Sequence, residues 1–185
     1  MHSSKKLIIL FLVILSISSI IFILLNARKN QTPILPSTLT GAEYENLTPS
    51  VSTLQDVYDK LGNPIKQRQE GDTKIIEYKS SNPNFNNEFF INSEKLSFVK
   101  QIVTLNESIN ISKINEKYGN YSNILYGPLS SNGFHLYISP EKGIAYLGHQ
   151  EANIILEIWY FPPTDFENFK KLYASDYSEK YNPIQ

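Results

Sequence analysis

Leu54, Val57, Tyr58 and Leu61 fall at i, i+3, i+4 and i+7, one apolar stripe of a short helix. Ser52, with Gln55 three residues on, is placed to cap its start. Gly62 supplies a left-handed C′ position and Pro64 prevents the helix from resuming. A helix of about nine residues is marginal in isolation, so it must lie against something else. Beyond it the period changes to two. KIIEYKS (Lys74–Ser80), NEFFINS (Asn87–Ser93) and LSFVKQIVTL (Leu96–Leu105) are rich in Ile, Val, Phe and Tyr and are bounded by Gly-Asp, Ser-Ser-Asn-Pro-Asn and Ser-Glu-Lys turn signals. One helix followed by an antiparallel meander is the predicted unit.

The same pattern recurs 57 positions later. Leu54 matches Ile111, Val57 matches Ile114, Leu61 matches Tyr118, and Gly62 matches Gly119; Asn63 returns as Asn120, and Asn110 is the expected N-cap. Strands follow again at Gly133–Ser139, Gly143–His149 and Asn153–Phe161, with Phe98-Val99 over Ile155-Leu156 and Ile102-Val103 over Trp159-Tyr160. A unit this short buries too little surface to fold alone. The expected architecture is therefore α+β: two tandem helix-plus-antiparallel-meander repeats, 47–105 and 106–163, forming one curved sheet with both helices on one face. Pro162-Pro163 stops the last strand. Thr164 with Glu167 is a second capping-box pattern, and a C-terminal helix over 164–174 aligns Phe166, Phe169 and Tyr173. The polar tail 175–185 is expected to fray.

Ahead of the folded part, Leu7–Leu25 is nineteen residues without a charge. At 1.5 Å per residue it spans roughly 28 Å, enough for the hydrocarbon core of a membrane. A cleaved secretory signal has a shorter apolar run and a small-residue cleavage site, which Leu24-Leu25-Asn26-Ala27-Arg28-Lys29 does not offer. The expected layout is a cytoplasmic tail 1–6, a single-pass transmembrane anchor 7–25, and a Pro- and Thr-rich linker 26–46 leading to a domain outside the cytoplasm, so the protein localises to the cell membrane.

The chain has 17 basic and 18 acidic side chains. Lys5, Lys6, Arg28 and Lys29, with no acid, fall within the first thirty residues, leaving 13 basic against 18 acidic beyond them. A domain of that sign repels phosphate backbones, so no nucleic-acid partner is expected. Cysteine is absent, which removes disulfides, thiolate metal sites and a cysteine nucleophile.

The string NLTPSVSTLQDVYDKLGNP, Asn46 to Pro64, resembles the opening of the SmpA/OmlA, or BamE-like, domain family. Leu47-Thr48 stands at that family's Gly-Met-Thr-type turn, with Asn46 where the family favours Gly, and Leu61-Gly62-Asn63-Pro64 stands at its Leu-Gly-x-Pro helix end. The doubled layout is also similar to the beta-lactamase inhibitor protein. The resemblance implies a helix followed by a small sheet and a role in binding other proteins of the cell envelope, with no active site to carry over. The missing lipidation cysteine keeps an outer-membrane lipoprotein role from transferring.

Catalytic chemistry finds little to stand on. His135 and His149 sit in no nucleophile–base motif, and His135, Glu141 and His149 match no metal-ligand spacing. Asp56 and Asp59 share a helix face and read as solvated. Asn46, Asn106, Asn110 and Asn120 begin Asn-x-Ser/Thr triplets, as an Asn-rich chain produces by chance. No cofactor, no metal and no enzymatic activity are expected. The last strand holds the candidate site. Strict alternation sets Ile155, Glu157, Trp159 and Phe161 on one face, turned away from the helices because a buried unpaired carboxylate is costly. Those residues either form a partly open surface for a protein or peptide partner or are covered by Phe166, Phe169 and Tyr173. The expected function is a membrane-anchored, extracytoplasmic protein-binding module; the alternative is a small-ligand-binding accessory or sensor domain with its site between the repeats.

Overall fold

The computed structural model describes residues 41–105 and 108–182. The expected cytoplasmic tail, the anchor Leu7–Leu25 and most of the linker lie outside the described residues. Among those residues, no helix is long and apolar enough to cross a membrane.

Over the described residues the architecture is α+β: a single eight-stranded antiparallel sheet and three α-helices. Helix α1 (Leu54–Leu61) precedes β1 (Lys66–Glu70), β2 (Thr73–Lys79), β3 (Asn86–Asn92) and β4 (Lys95–Ile102). Helix α2 (Ile111–Tyr118) precedes β5 (Asn123–Leu125), β6 (His135–Ser139), β7 (Ile144–His149) and β8 (Ile154–Tyr160); α3 (Phe166–Tyr173) closes the order. Each meander has four strands where three were expected. The extra ones, β1 and β5, are the two edges of the sheet, whose order is β1-β2-β3-β4-β8-β7-β6-β5.

α1 and α2 begin and end 57 residues apart, as do their N-caps Thr53 and Asn110 and their glycine stops. Gly62 and Gly119 have φ of 76° and 78°, a backbone that favours glycine. Their ψ angles, −155° and 176°, take the chain into an extended path rather than the left-handed turn expected. The cap of α1 is also shifted by one residue from the Ser52–Gln55 box. Thr53 Oγ1 accepts from Asp56 N at 3.1 Å while Asp56 Oδ2 accepts from Thr53 N at 2.7 Å. Ser52 Oγ accepts from Thr48 N instead, holding the preceding turn.

The two meanders meet through their last strands. Gln101 lies opposite Ile158, its own counterpart 57 positions on; Val99 lies opposite Tyr160, and Val103 N donates to the Leu156 carbonyl. Exchanging the halves maps this pairing onto itself. β-bulges interrupt both final hairpins, at Phe90/Ile91 and at Leu147/Gly148, with Ser97 and Leu156 as the extra residues.

α1 and α2 share one side of the sheet, where Leu54, Val57, Ile111 and Ile114 pack with Ile76, Phe89, Val99, Tyr146 and Ile158. Residues ahead of Leu47, the expected start of the first repeat, also join the fold. Ala42 and Leu47 are buried in this core, and Tyr44 stands edge-on to Phe89 at 5.3 Å and to Tyr160 at 6.0 Å. On the opposite side α3 covers Leu125, Leu136, Ile138, Leu147, Trp159 and Phe161 with Phe169. Its N-cap is Asp165, accepting from Asn168 N at 2.8 Å, not Thr164. Nor does the tail fray at once: Ser178 exchanges two backbone hydrogen bonds of 2.8 Å with Tyr126, and Tyr177 packs edge-on against Trp159.

Candidate functional site

Three of the four expected site residues share a face, and the fourth does not. Glu157, Trp159 and Phe161 lie on the α3 side, where Trp159 Nε1 donates to Glu157 Oε2 at 2.8 Å. Ile155 belongs to the core under α1 and α2. The bulge is the reason: pairing jumps from Leu147–Glu157 to Gly148–Ile155, leaving Leu156 as the extra residue and reversing the alternation there. The expected openness is also corrected. Phe161 is fully buried and Trp159 is only 7% exposed. Trp159 packs against Phe98 at 5.8 Å, Phe169 at 6.5 Å and Tyr177 at 6.0 Å, so the C-terminal helix covers this half of the face.

The open surface lies one step across the sheet. A groove of about 470 Å³ runs between the end of α3 and the first meander. Phe90 and Phe98 wall it from the sheet, Leu172 and Tyr173 from α3, with Trp159 at the back. Phe98 and Tyr173 stack at 5.1 Å, and Phe90 meets Phe98 edge-on at 5.2 Å. Thr73, Asn92, Ser97 and Lys100 add polar groups to the lining. Leu172 is 65% exposed, a large apolar side chain left on the rim.

Past the groove the face becomes ionic. Glu88 stands opposite both Glu77 on β2 and Lys100 on β4, in line with Trp159 on β8. Arg68 pairs with Glu77 through Nη1, with Glu88 through Nη2 at 2.7 Å, and with Glu70 through Nε at 2.8 Å. Lys100 Nζ lies 2.9 Å from Glu88, Lys66 Nζ lies 3.5 Å from Glu77, and Asn86 donates to Glu77 at 2.9 Å. The Asn86 amide holds the Glu77 carboxyl below the ordinary carboxylate range against the opposing effect of burial. At Glu88 burial is the largest influence and raises the pKa, but Arg68 and Lys100 together outweigh it and the net shift is downward. These acids form the floor, with side chains 8% and 17% exposed, while Lys66 is 63% exposed and Arg68 and Lys100 are each 31% exposed above them.

The other half carries a different set of residues along the corresponding row. Glu157, 57 residues after Lys100, faces Leu147, which faces Leu136, which faces Leu125. Leucines thus stand where the first half has Glu88, Glu77 and Lys66, and α3 lies on the leucines.

His135 and His149 each contact neighbouring groups of the fold. His135 Nδ1 lies 3.3 Å from Ser130 Oγ, which also accepts from Gly127 N at 2.9 Å, and burial lowers the His135 pKa. His149 Nδ1 accepts from Ala152 N and its ring meets Phe134 edge-on. No group of three or more His, Cys, Asp or Glu among the described residues is arranged to hold a metal. Between the two meanders on the α1–α2 side, the space is filled by Tyr44, Phe89 and Tyr160. Tyr160 Oη donates to Gln101 Oε1 at 2.9 Å, and burial raises its pKa strongly.

The sequence matches no protein-family model and no curated protein. Among solved structures it is similar in part to YjgB, a DUF4309 family protein from Bacillus subtilis, at 14% identity and a TM-score of 0.45, over 66% of this chain and 87% of that one. It is also similar in part to a cysteine-rich secretory protein from Staphylococcus aureus, at 11% identity and a TM-score of 0.41, over 72% of this chain and half of that one.

Proposed function

We propose that this chain is a membrane-anchored, extracytoplasmic protein-binding module without enzymatic activity, built by doubling a BamE-like helix-plus-meander unit. The apolar run Leu7–Leu25 supports the anchor. The duplication is supported by equal 57-residue offsets of the helices, their caps and the central strand pair. Binding by the sheet face rests above all on one observation: α3 covers only half of it and leaves an aromatic-walled groove at the boundary. Aromatic walls beside a polar rim are typical of protein-recognition surfaces. A small-ligand site between the repeats has no comparable support, because Tyr44 and Tyr160 occupy that space.

Photo-crosslinking in the native membrane tests the reading. A benzoyl-phenylalanine at Leu172 of the full chain is expected to trap a discrete protein adduct. The same group at Val51, an exposed residue beside α1, is expected to trap none. Identical adducts from both positions, or none from Leu172, would refute the groove as a binding surface.

A further inference from the structure

We infer that the occupant of this face is an acidic peptide segment carrying a large apolar side chain, the apolar group entering the Phe90–Phe98–Tyr173 groove and its carboxylates meeting Lys66, Arg68, Lys79 and Lys100. The inference rests on the protein-binding reading and adds the chemistry of the partner.

The charge distribution carries it. Beyond residue 30 the chain is acidic, 18 against 13, yet the open half of this face presents cations outermost. Lys66 and Arg68 come from β1, Lys79 from β2 and Lys100 from β4. Lys79 shares the face of Ile75 and Glu77 by period two and is exposed. Glu77 and Glu88 lie beneath, already satisfied by the cations and by Asn86. Glu70 is the exposed acid that pairs with Arg68 at the margin. The cations keep unspent capacity. Arg68 has five N–H donors and three acceptor contacts, Lys66 reaches Glu77 only at 3.5 Å, and Lys79 makes no ion pair among the described residues. Carboxylates over such a surface gain charge-assisted hydrogen bonds without displacing the buried ones.

The apolar part is equally specified. Ile75, Phe90 and Phe98 form one cross-strand row beside the charged row, and the groove opens where the row meets Leu172 and Tyr173. A wholly polar segment would leave the exposed Leu172 and the half-buried Phe90 and Tyr173 uncovered. An apolar helix laid across the whole open face, as α3 lies on the other half, would desolvate Glu77, Glu88 and Lys100 together. An extended or short segment with one apolar anchor flanked by Asp or Glu avoids both costs.

Trp159 is the single tryptophan of the chain and borders the groove, so its emission reports occupancy. Three ten-residue probes separate the possibilities on the full chain in detergent: one with a central Phe-Leu pair flanked by Asp and Glu, one with Lys replacing the acids, and one acidic with Gly replacing Phe-Leu. Only the first is expected to shift the Trp159 emission. Its affinity should fall about tenfold in the double variant Lys66→Glu, Lys79→Glu, and fall with added salt. The melting temperature checks that this variant remains folded, and Leu172→Asp is expected to weaken the same probe independently. Equal binding of the basic or glycine probe, no binding of the first, or displacement of it by polyphosphate at equal charge concentration would overturn the inference. A protein adduct at Leu172 without probe binding would leave the protein-binding reading standing and remove this one; probe binding with no adduct at Leu172 would overturn both, since this inference rests on that reading.

Discussion

Replacing Trp159 with alanine distinguishes a core residue from a contact residue. On sequence grounds Trp159 belongs to an open strand face, where truncation would spare the fold. In the structure its ring packs against Phe98, Phe169 and Tyr177, and its indole N–H satisfies Glu157. A buried tryptophan covers on the order of 200 Å², which at about 25 cal/mol per Å² corresponds to roughly 5 kcal/mol of apolar transfer. Measured truncations of large aromatic residues cluster at about 3–5 kcal/mol because the cavity partly collapses. The lost hydrogen bond leaves Glu157 without that donor and adds to the cost. For a domain of this size each kcal/mol moves the melting temperature by about 3–4 °C, so Trp159→Ala should melt at least about 10 °C below the parent. Leu172→Ala, at the exposed rim, should stay within about 2 °C. Circular dichroism at 222 nm on both variants decides. A Trp159→Ala melt within 3 °C of the parent would mean that α3 does not seal this half of the sheet, and the groove as described would be lost with it. Loss of a partner on Trp159→Ala is therefore no evidence for a contact, whereas loss on Leu172→Asp is.

The first helix gives a second measurement: Thr53→Ala should cost about 1 kcal/mol or more in urea denaturation, and Gln55→Ala less than about 0.5 kcal/mol, because the reciprocal cap runs through Asp56. Deleting residues 176–185 should lower the melt by several degrees, since Tyr177 and the Ser178–Tyr126 pair go with them; an unchanged melt would restore the frayed tail. Acid is the third lever. Glu77 and Glu88 ionise at lower pH in the folded than in the unfolded protein, so their contribution is present above the unfolded value of about 4.3 and is lost as pH falls through the folded values. Urea midpoints between pH 6 and 3 should therefore fall less steeply for Glu77→Gln than for the parent, and parallel curves would refute that assignment.

The parts legible in the sequence are those written locally. An apolar stripe closed by glycine gives both helices, and alternating Ile, Phe and Tyr give six of the strands. Lys66–Glu70, with no apolar residue, is a strand only because β2 offers it a partner, and no periodicity announces that. The capping registers slipped by one residue because Ser52 and Thr53, like Thr164 and Asp165, are adjacent caps of comparable quality. Ile155 was misplaced by a bulge whose cause lies in the pairing with β7, not in β8 itself. The face of Glu157, Trp159 and Phe161 was readable, whereas its cover depended on where α3 docks. The ionic row was least readable of all: Arg68, Glu77, Glu88 and Lys100 come from four strands and meet only when the sheet forms.

That row also explains why half of the face stays open. If the two units descend from one, the seat of α3 existed twice, once over Leu125, Leu136 and Leu147 and once over the positions now held by Lys66, Glu77 and Glu88. A single C-terminal helix can fill one of them. An unfilled seat of leucines would leave several hundred Å² of contiguous apolar surface, a standing risk of aggregation. Charges on its floor remove that risk, because any apolar chain settling there must strip water from two carboxylates and three cations. The same substitution confines attraction to the strip beside Leu172 and Tyr173, where Phe90 and Phe98 remain apolar. Converting Glu77 and Glu88 together to leucine should therefore not create a better binding site; it should produce a chain that self-associates through the vacated seat, visible as a dimer or larger species in sedimentation.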